Sequence, residues 1–330
     1  MSAVAGDSKR IRVAVVGTGE FGRNHARVYR ELEGVELVGV YDKSAERAGA
    51  VAQEFQTTSF HSLEELRGRV DAASVAVPTV SHAAVGCRLM EMGLDVLVEK
   101  PMAVDLTEAD TLLHAAKKNG RILQVGHVER FNPAVQAIKN ALRAEDILSI
   151  AITRVGPFPP RMSNVGVVID LAVHDIDLIR WFTDSEIVEV QPQLSSAIAE
   201  REDIALLQFR TASGVLAHIN TNWITPFKAR NVTVATRNKY IMGDLLTRQV
   251  TECFGFQPDG SYSMRHLSVG HSEPLRAELQ AFASAILSGK QPAVTGEEGV
   301  AGLEIAIQCL QKKATPSATS AWQMPRLVTG

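Results

Sequence analysis

The hydrophobic pattern divides the 330-residue chain into two stretches of different rhythm. Up to about residue 126, apolar runs of strand length at 11–16, 35–41, 72–77, 96–98 and 122–125 alternate with helical spacing at 20–33, 44–55, 81–92 and 106–118. Gly34, Gly93 and Asn119-Gly120 supply helix stops, and Ser44 and Ser81 stand where N-caps belong. Such alternation predicts a parallel sheet with right-handed crossovers and helices on both faces. From about residue 147 the rhythm changes. Runs at 147–155, 187–190, 205–210, 215–222, 231–236 and 239–242 predict strands, mostly without long helices between them. Thr211-Ala212-Ser213-Gly214 and Arg237-Asn238 read as hairpin turns, and helical spacing returns at 132–142, 167–182, 274–287 and 297–312. The expected fold is α/β: a doubly wound domain over 1–126, then an α+β domain over 127–330. The second domain's large, mostly antiparallel sheet is open on one face and helix-covered on the other.

Composition narrows the classes. Hydrophobic content of 45% and charged content of 22% are those of an ordinary soluble domain pair. A net charge of −3 gives no footprint for nucleic acid or an anionic membrane, and the apolar runs are too short to span a bilayer. The small, polar residues 1–10 read as a frayed tail without a signal-peptide apolar region. Cys87, Cys253 and Cys309 are too scattered for a disulfide framework or a zinc knuckle, so no metal is expected. They read as thiols of a reducing compartment, which places the chain in the cytoplasm.

The first strand leads into Gly17-Thr18-Gly19-Glu20-Phe21-Gly22, which opens a helix. Strand, glycine turn and helix in this order make a dinucleotide-binding unit. The turn is tight at Gly17, the backbone is bare at Gly19 for a pyrophosphate, and Gly22 lets the helix pack on the strand, its N-terminal amides toward the phosphates. The second strand ends in Asp42, placed to accept from an adenosine ribose and to repel a 2′-phosphate. NAD is therefore expected over NADP, with Lys43 and Arg47 near enough to soften the repulsion. Pro78, Thr79 and His82 follow another strand and are candidates to line the cofactor.

Glu99-Lys100-Pro101 stands at the carboxyl end of a predicted parallel strand, the edge where open α/β sheets bind ligands. A lysine there can hold a substrate hydroxyl, although position alone equally allows a solvated strand-end side chain. Asp170, His174 and Asp177 share a helix face by their spacing. A histidine beside carboxylates is either a general base near neutral pH or a satisfied group on a polar face. His127, Glu129 and Arg130 follow the last strand of the first domain, and Asn132 with Pro133 reads as an N-cap and first helical position.

Taken together, Gly17-x-Gly19-x-x-Gly22, Pro78-Thr79-x-x-His82, Glu99-Lys100-Pro101 and Asp170-x-x-x-His174 resemble the Gfo/Idh/MocA family of oxidoreductases over essentially the whole chain. The resemblance implies a Rossmann domain, a second domain whose open sheet makes oligomer contacts (a homodimer or homotetramer), and NAD(P)-linked chemistry on a sugar, sugar-nucleotide or cyclitol hydroxyl. It puts Lys100, Asp170 and His174 in the catalytic positions, with Glu99 beside the cofactor. Residues 22–27 and 126–133 resemble the family's UDP-N-acetylglucosamine 3-dehydrogenases, whose 3-keto product leads toward the amino sugar of lipid A. That implies a diphosphate-linked substrate contacted by His127, Asn132 and cations at the domain junction: Arg130, Arg154 and Arg161, the last two flanking Gly156-Pro157-Phe158-Pro159-Pro160. Each arginine is as readily a solvated loop charge. A dehydrogenase of free sugar or inositol, or a dinucleotide-sensing protein without turnover, are the alternatives.

Overall fold

The computed structural model describes residues 10–159 and 165–312. Strands β1 (Ile11–Val16), β2 (Val35–Tyr41), β3 (Thr58–Ser59), β4 (Ala72–Val75), β5 (Asp95–Glu99) and β6 (Leu123–Gly126) form a parallel sheet in the order β3-β2-β1-β4-β5-β6. Helices α1 (Glu20–Glu31), α2 (Ala45–Glu54), α3 (His82–Glu91) and α4 (Leu106–Asn119) make the crossovers. Ser44 caps α2 by accepting from the Arg47 amide, and Gly120 ends α4 in the left-handed region. Ser81 does not cap α3, because residues Thr79–Ser81 form a 3₁₀ turn that runs straight into the helix. The strand order reverses direction between β1 and β4, which opens a crevice at the carboxyl edge of the sheet.

After α5 (Pro133–Ala141), the second domain builds an eight-stranded sheet from β7 (Ile147–Pro157), β8 (Ile187–Ser195), β9 (Ile204–Thr211), β10 (Leu216–Asn222), β11 (Ile224–Thr236), β12 (Lys239–Asp244), β13 (Gln249–Phe254) and β14 (Ser263–His266). Its order is β14-β13-β12-β11-β7-β10-β9-β8, antiparallel except for the β7–β10 pair. Strands β13 and β14 were not expected from the hydrophobic pattern. All four residues of β14 are exposed, so there was no alternation to read. Strand β8 runs through Pro192, which an edge strand tolerates because its missing donor need face no neighbour.

Helix α6 (Val173–Thr183) packs Ile176 and Ile179 on the inner face of this sheet, against Ile152, Leu207, Ile219 and Val232. Helices α7 (Pro274–Ser288) and α8 (Gly296–Gln311) tie the two sheets together. Leu279 and Phe282 of α7 join the core beneath α1. Helix α8 gives Leu303 to the first domain's core and Ile305, Ala306 and Cys309 to the second's. The three cysteines are unpaired, and burial pushes the Cys309 thiol up to about 12. Among the described residues, no helix is long and apolar enough to cross a membrane, and no cluster of His, Cys, Asp or Glu could hold a metal ion.

Glu278 of α7 is fully buried and neither of its carboxylate oxygens has a hydrogen-bond partner among the described residues. Burial, with the nearby Glu99 charge, raises its pKa well above the ordinary range. The folded state therefore holds a proton that the unfolded chain releases, so this group's stabilisation is complete below the unfolded pKa and lost as pH rises through the folded one. Glu278→Gln is expected to unfold at nearly the same urea concentration as wild type at pH 4 and at a higher one at pH 8. Parallel pH curves for the two proteins would rule this out.

Candidate active site

The carboxyl edge of the first sheet gathers the ends of β1, β2, β4 and β5 around one cleft of about 400 Å³. Gly17, Gly19, Glu20 and Phe21 line one side, and Asp42 with Arg47 closes the end of β2. Pro78, Thr79, His82, Glu99 and Lys100 line the other side. Gly17 has φ +96°, and a Cβ there would lie 2.5 Å from the Ala76 carbonyl oxygen. At Gly22 a Cβ would fall 1.8 Å from the Gly17 oxygen, so the turn closes only without side chains. Gly19 is the N-cap of α1 and offers no side-chain bond, which leaves the first amides of the helix to an anion. A cleft of this size, with an anion-binding helix start and a carboxylate at its far end, fits a dinucleotide.

Asp42 is held in place by donors on both oxygens. Oδ2 accepts from the Thr18 amide (2.8 Å) and hydroxyl (3.1 Å), and Oδ1 accepts from the Ser44 amide (2.8 Å) and Arg47 (2.9 Å). Burial alone would raise this carboxyl, but the donors outweigh it and hold the pKa below the usual range. The exposed neighbour that engages Asp42 is Arg47; Lys43 points no charge into the cleft lining. Asp42→Ser removes the repulsion toward a 2′-phosphate and frees Arg47. The ratio of kcat/KM for NAD over NADP is expected to fall by about 10-fold or more, on the scale of one charged hydrogen bond; an unchanged ratio would contradict the role given to Asp42.

His82 lies buried between two carbonyls, its ring nitrogens 2.9 Å from the Val77 and Pro101 oxygens. It straps the end of β4 to the Lys100–Pro101 turn, whose peptide bond is cis. Burial lowers its pKa, and those two carbonyls pull in the opposite direction. Glu99 turns inward to the buried His25 of α1, 2.9 Å from Nε2. Both residues thus brace the turn that carries Lys100.

Lys100 reaches across to the second domain. Its Nζ donates to the Asp170 carbonyl oxygen at 2.8 Å and to Oδ1 at 3.1 Å, which leaves one N–H of the ammonium for another acceptor. Asp170 sits in a π-helical turn, Val168–Ala172, that precedes α6, where a regular α-helix was expected from the sequence. His174 follows in the first turn of α6, buried, its Nδ1 without a partner among the described residues. Burial lowers its pKa well below the ordinary histidine range, and the charges of Lys100, Arg154 and Arg230 add to the effect. The ring is therefore neutral at pH 7 and able to accept a proton. His127 stands edge-on to it, ring centroids 6.2 Å apart, with burial lowering its pKa as well.

The other expected substrate contacts lie beneath the cleft. Arg130 is buried, donating to both oxygens of Asp177 (2.7 and 2.6 Å) and to Glu298 (2.6 Å). Arg154 is buried between Asp175 (2.7 Å) and Glu129 (2.8 Å). Asn132 caps α5 through the Ala134 amide and donates to Glu129 and the Leu245 carbonyl. These side chains, expected as substrate contacts, are thus engaged by internal partners. Arg161 lies outside the described residues. Arg230 of β11, which the sequence reading passed over, shares Glu129 with Arg154 at 3.0 Å. Only the strand register, which pairs it directly with Arg154, reveals it.

Comparison with known proteins agrees with this geometry. A family model described as "Oxidoreductase family, NAD-binding Rossmann fold" matches residues 11–127, and the "GFO/IDH/MocA C-terminal domain" model matches residues 147–241. The chain is 31% identical to a UDP-N-acetylglucosamine 3-dehydrogenase of Acidithiobacillus ferrooxidans, over 93% of this chain and 98% of that one. It is also 31% identical to an inositol 2-dehydrogenase of Rubrobacter xylanophilus, over 98% and 97%. The solved structure of the Acidithiobacillus ferrooxidans enzyme superposes with a TM-score of 0.86 at 29% identity, covering 92% of this chain and 97% of that one. With a dinucleotide cleft on one domain and a lysine that reaches the Asp-x-x-x-His helix of the other, this chain belongs to the Gfo/Idh/MocA family of NAD-binding oxidoreductases.

Proposed function

We propose that this oxidoreductase oxidises a secondary hydroxyl of a sugar nucleotide, UDP-N-acetylglucosamine at C3, by removing hydride from the carbon that bears it, to give the 3-keto sugar. The observation that carries the chemistry is the bond from Lys100 to Asp170, which draws the cofactor edge of one domain onto the His174 helix of the other. The substrate rests on the end-to-end likeness to the Acidithiobacillus ferrooxidans enzyme in sequence and structure. The amides that open α1 would hold the pyrophosphate of NAD, and Asp42 its adenosine ribose. When bound, NAD supplies the hydride acceptor, C4 of its nicotinamide ring. Lys100 gives its remaining N–H to the reacting oxygen and stabilises the charge that develops there. His174, neutral because it is buried among cations, takes the hydroxyl proton. Asp170 fixes the lysine and is placed to meet a neighbouring hydroxyl.

A second reading, oxidation of a free cyclitol, draws on the equally similar inositol 2-dehydrogenase. Initial rates of NADH formation with UDP-N-acetylglucosamine, N-acetylglucosamine and myo-inositol decide between them. Turnover of the nucleotide sugar far above the other two is expected; turnover of inositol alone would overturn the first reading. The open face of the second sheet exposes Leu206 of β9, Leu216 of β10, and Tyr240 and Met242 of β12, which supports a homodimer or homotetramer. Light scattering that returned a monomer mass would contradict that assembly.

A further inference from the structure

The inner face of the second sheet carries an unusual row across three strands. Arg154 of β7 pairs in register with Thr221 of β10 on one side and Arg230 of β11 on the other. Two guanidinium groups on adjacent strands repel each other unless carboxylates stand between them. Arg154 is fully provided for: three of its bonds go to Asp175 and one to Glu129. Among the described residues, Arg230 has a single side-chain acceptor, Oε1 of Glu129, which Arg154 already engages. Its side chain remains 36% exposed, against 3% for Arg154.

Arg230 lies near the reaction centre: Arg154, its partner in register, binds Asp175, the residue that follows His174, and the charge of Arg230 acts on His174. Thr221 at the other end of the row is buried, and its hydroxyl has no partner among the described residues. The row therefore carries a partly exposed, incompletely neutralised cation beside the helix that bears His174. A guanidinium fork matches phosphate oxygens. We propose that Arg230 is the substrate-specificity cation of this enzyme, binding an oxygen of the diphosphate attached to the sugar while the sugar itself lies between Lys100 and His174. The inference rests on the sugar-nucleotide reading above. It replaces Arg130 and Arg154 by a residue whose charge is still available, and it gives a physical reason for preferring a diphosphate-linked sugar over a neutral cyclitol.

The test measures UDP binding by calorimetry and steady-state turnover of UDP-N-acetylglucosamine and N-acetylglucosamine, with wild type, Arg230→Gln and Arg230→Lys. Circular dichroism and thermal unfolding confirm that each variant folds. In Arg230→Gln, UDP affinity is expected to fall on the order of 10- to 100-fold, the scale of a charged hydrogen bond lost. The kcat/KM ratio of nucleotide sugar over free sugar is expected to fall with it. Arg230→Lys should recover part of the loss, since charge returns without the fork. A folded Arg230→Gln protein with unchanged UDP affinity, or with both sugars impaired equally, would overturn the assignment while leaving the sugar-nucleotide reading intact. Wild type that neither binds UDP nor turns over the nucleotide sugar would overturn both.

Discussion

Replacing Lys100 by Met is expected to lower kcat by about 10²- to 10⁴-fold, the range for a positioned proton-transfer or charge-stabilising group. The loss should fall on kcat, because the proposed mechanism sets the ammonium on the reacting oxygen, while NAD binding, which that proposal assigns to the α1 amides and Asp42, stays within a few-fold. His174→Ala should show a comparable loss, and the double variant should be little worse than either, since the proposed mechanism has the two groups act on one oxygen. The lysine also sets the histidine's protonation. Burial comes first in lowering the His174 pKa and Lys100 is next, so removing the lysine raises that pKa toward the ordinary range. The residual activity of Lys100→Met should accordingly begin to fall at a higher pH on the acid side than wild type does. Single-turnover kinetics across pH 5 to 9, beside NAD titration by fluorescence, would reveal it. Full turnover in both single variants would remove these residues from the mechanism.

The second large effect concerns stability. Arg154→Met leaves Asp175, fully buried, without its guanidinium, and Glu129 with the partly exposed Arg230 as its one cation among the described residues, beside the amide of Asn132. Breaking one side of a buried ion pair costs about 3–5 kcal/mol, because a charge stays behind in a low-dielectric interior. Burial raises the Asp175 pKa and Arg154 works against it, so without the arginine that carboxyl takes up a proton more readily and the loss softens toward acid pH. Replacing both partners, Arg154→Met with Asp175→Leu, should restore much of the difference. By contrast, removing Arg237 from its exposed pair with Asp146 should cost less than about 1 kcal/mol. Urea unfolding at pH 7 ranks all of these on one scale. An Arg154→Met protein as stable as wild type would mean that the carboxylates find other partners.

Much of this was legible in the chain because it is written in local periods. The strand–turn–helix order placed Gly17 and Asp42 at one sheet edge, and β2 spans Val35–Tyr41 as its apolar run implied. The approach of Lys100 to Asp170 was reachable only through family resemblance, since 70 residues separate them and no local pattern encodes the contact. The partners of the arginines were hidden for the same reason. Whether Arg130 is free depends on Asp177 and Glu298, 47 and 168 residues away. A charge count near Arg130 gives no hint of either. Arg230 escaped notice because it looks like one more polar residue on a long strand; its meaning comes from register, the pairing that sets it beside an arginine already neutralised. The π turn at Val168–Ala172 was likewise hidden, since its residues are ordinary helix residues and only the Lys100 contact marks the place.

The most direct measurement is a crystal structure of the enzyme with NAD and UDP-N-acetylglucosamine. The sugar's 3-hydroxyl should lie within hydrogen-bond reach, about 2.6–3.2 Å, of both the Lys100 ammonium and a His174 ring nitrogen. A sugar whose only oxygen near both groups is another hydroxyl would change the carbon oxidised. A sugar bound away from both would contradict the shared active site on which the mechanism stands.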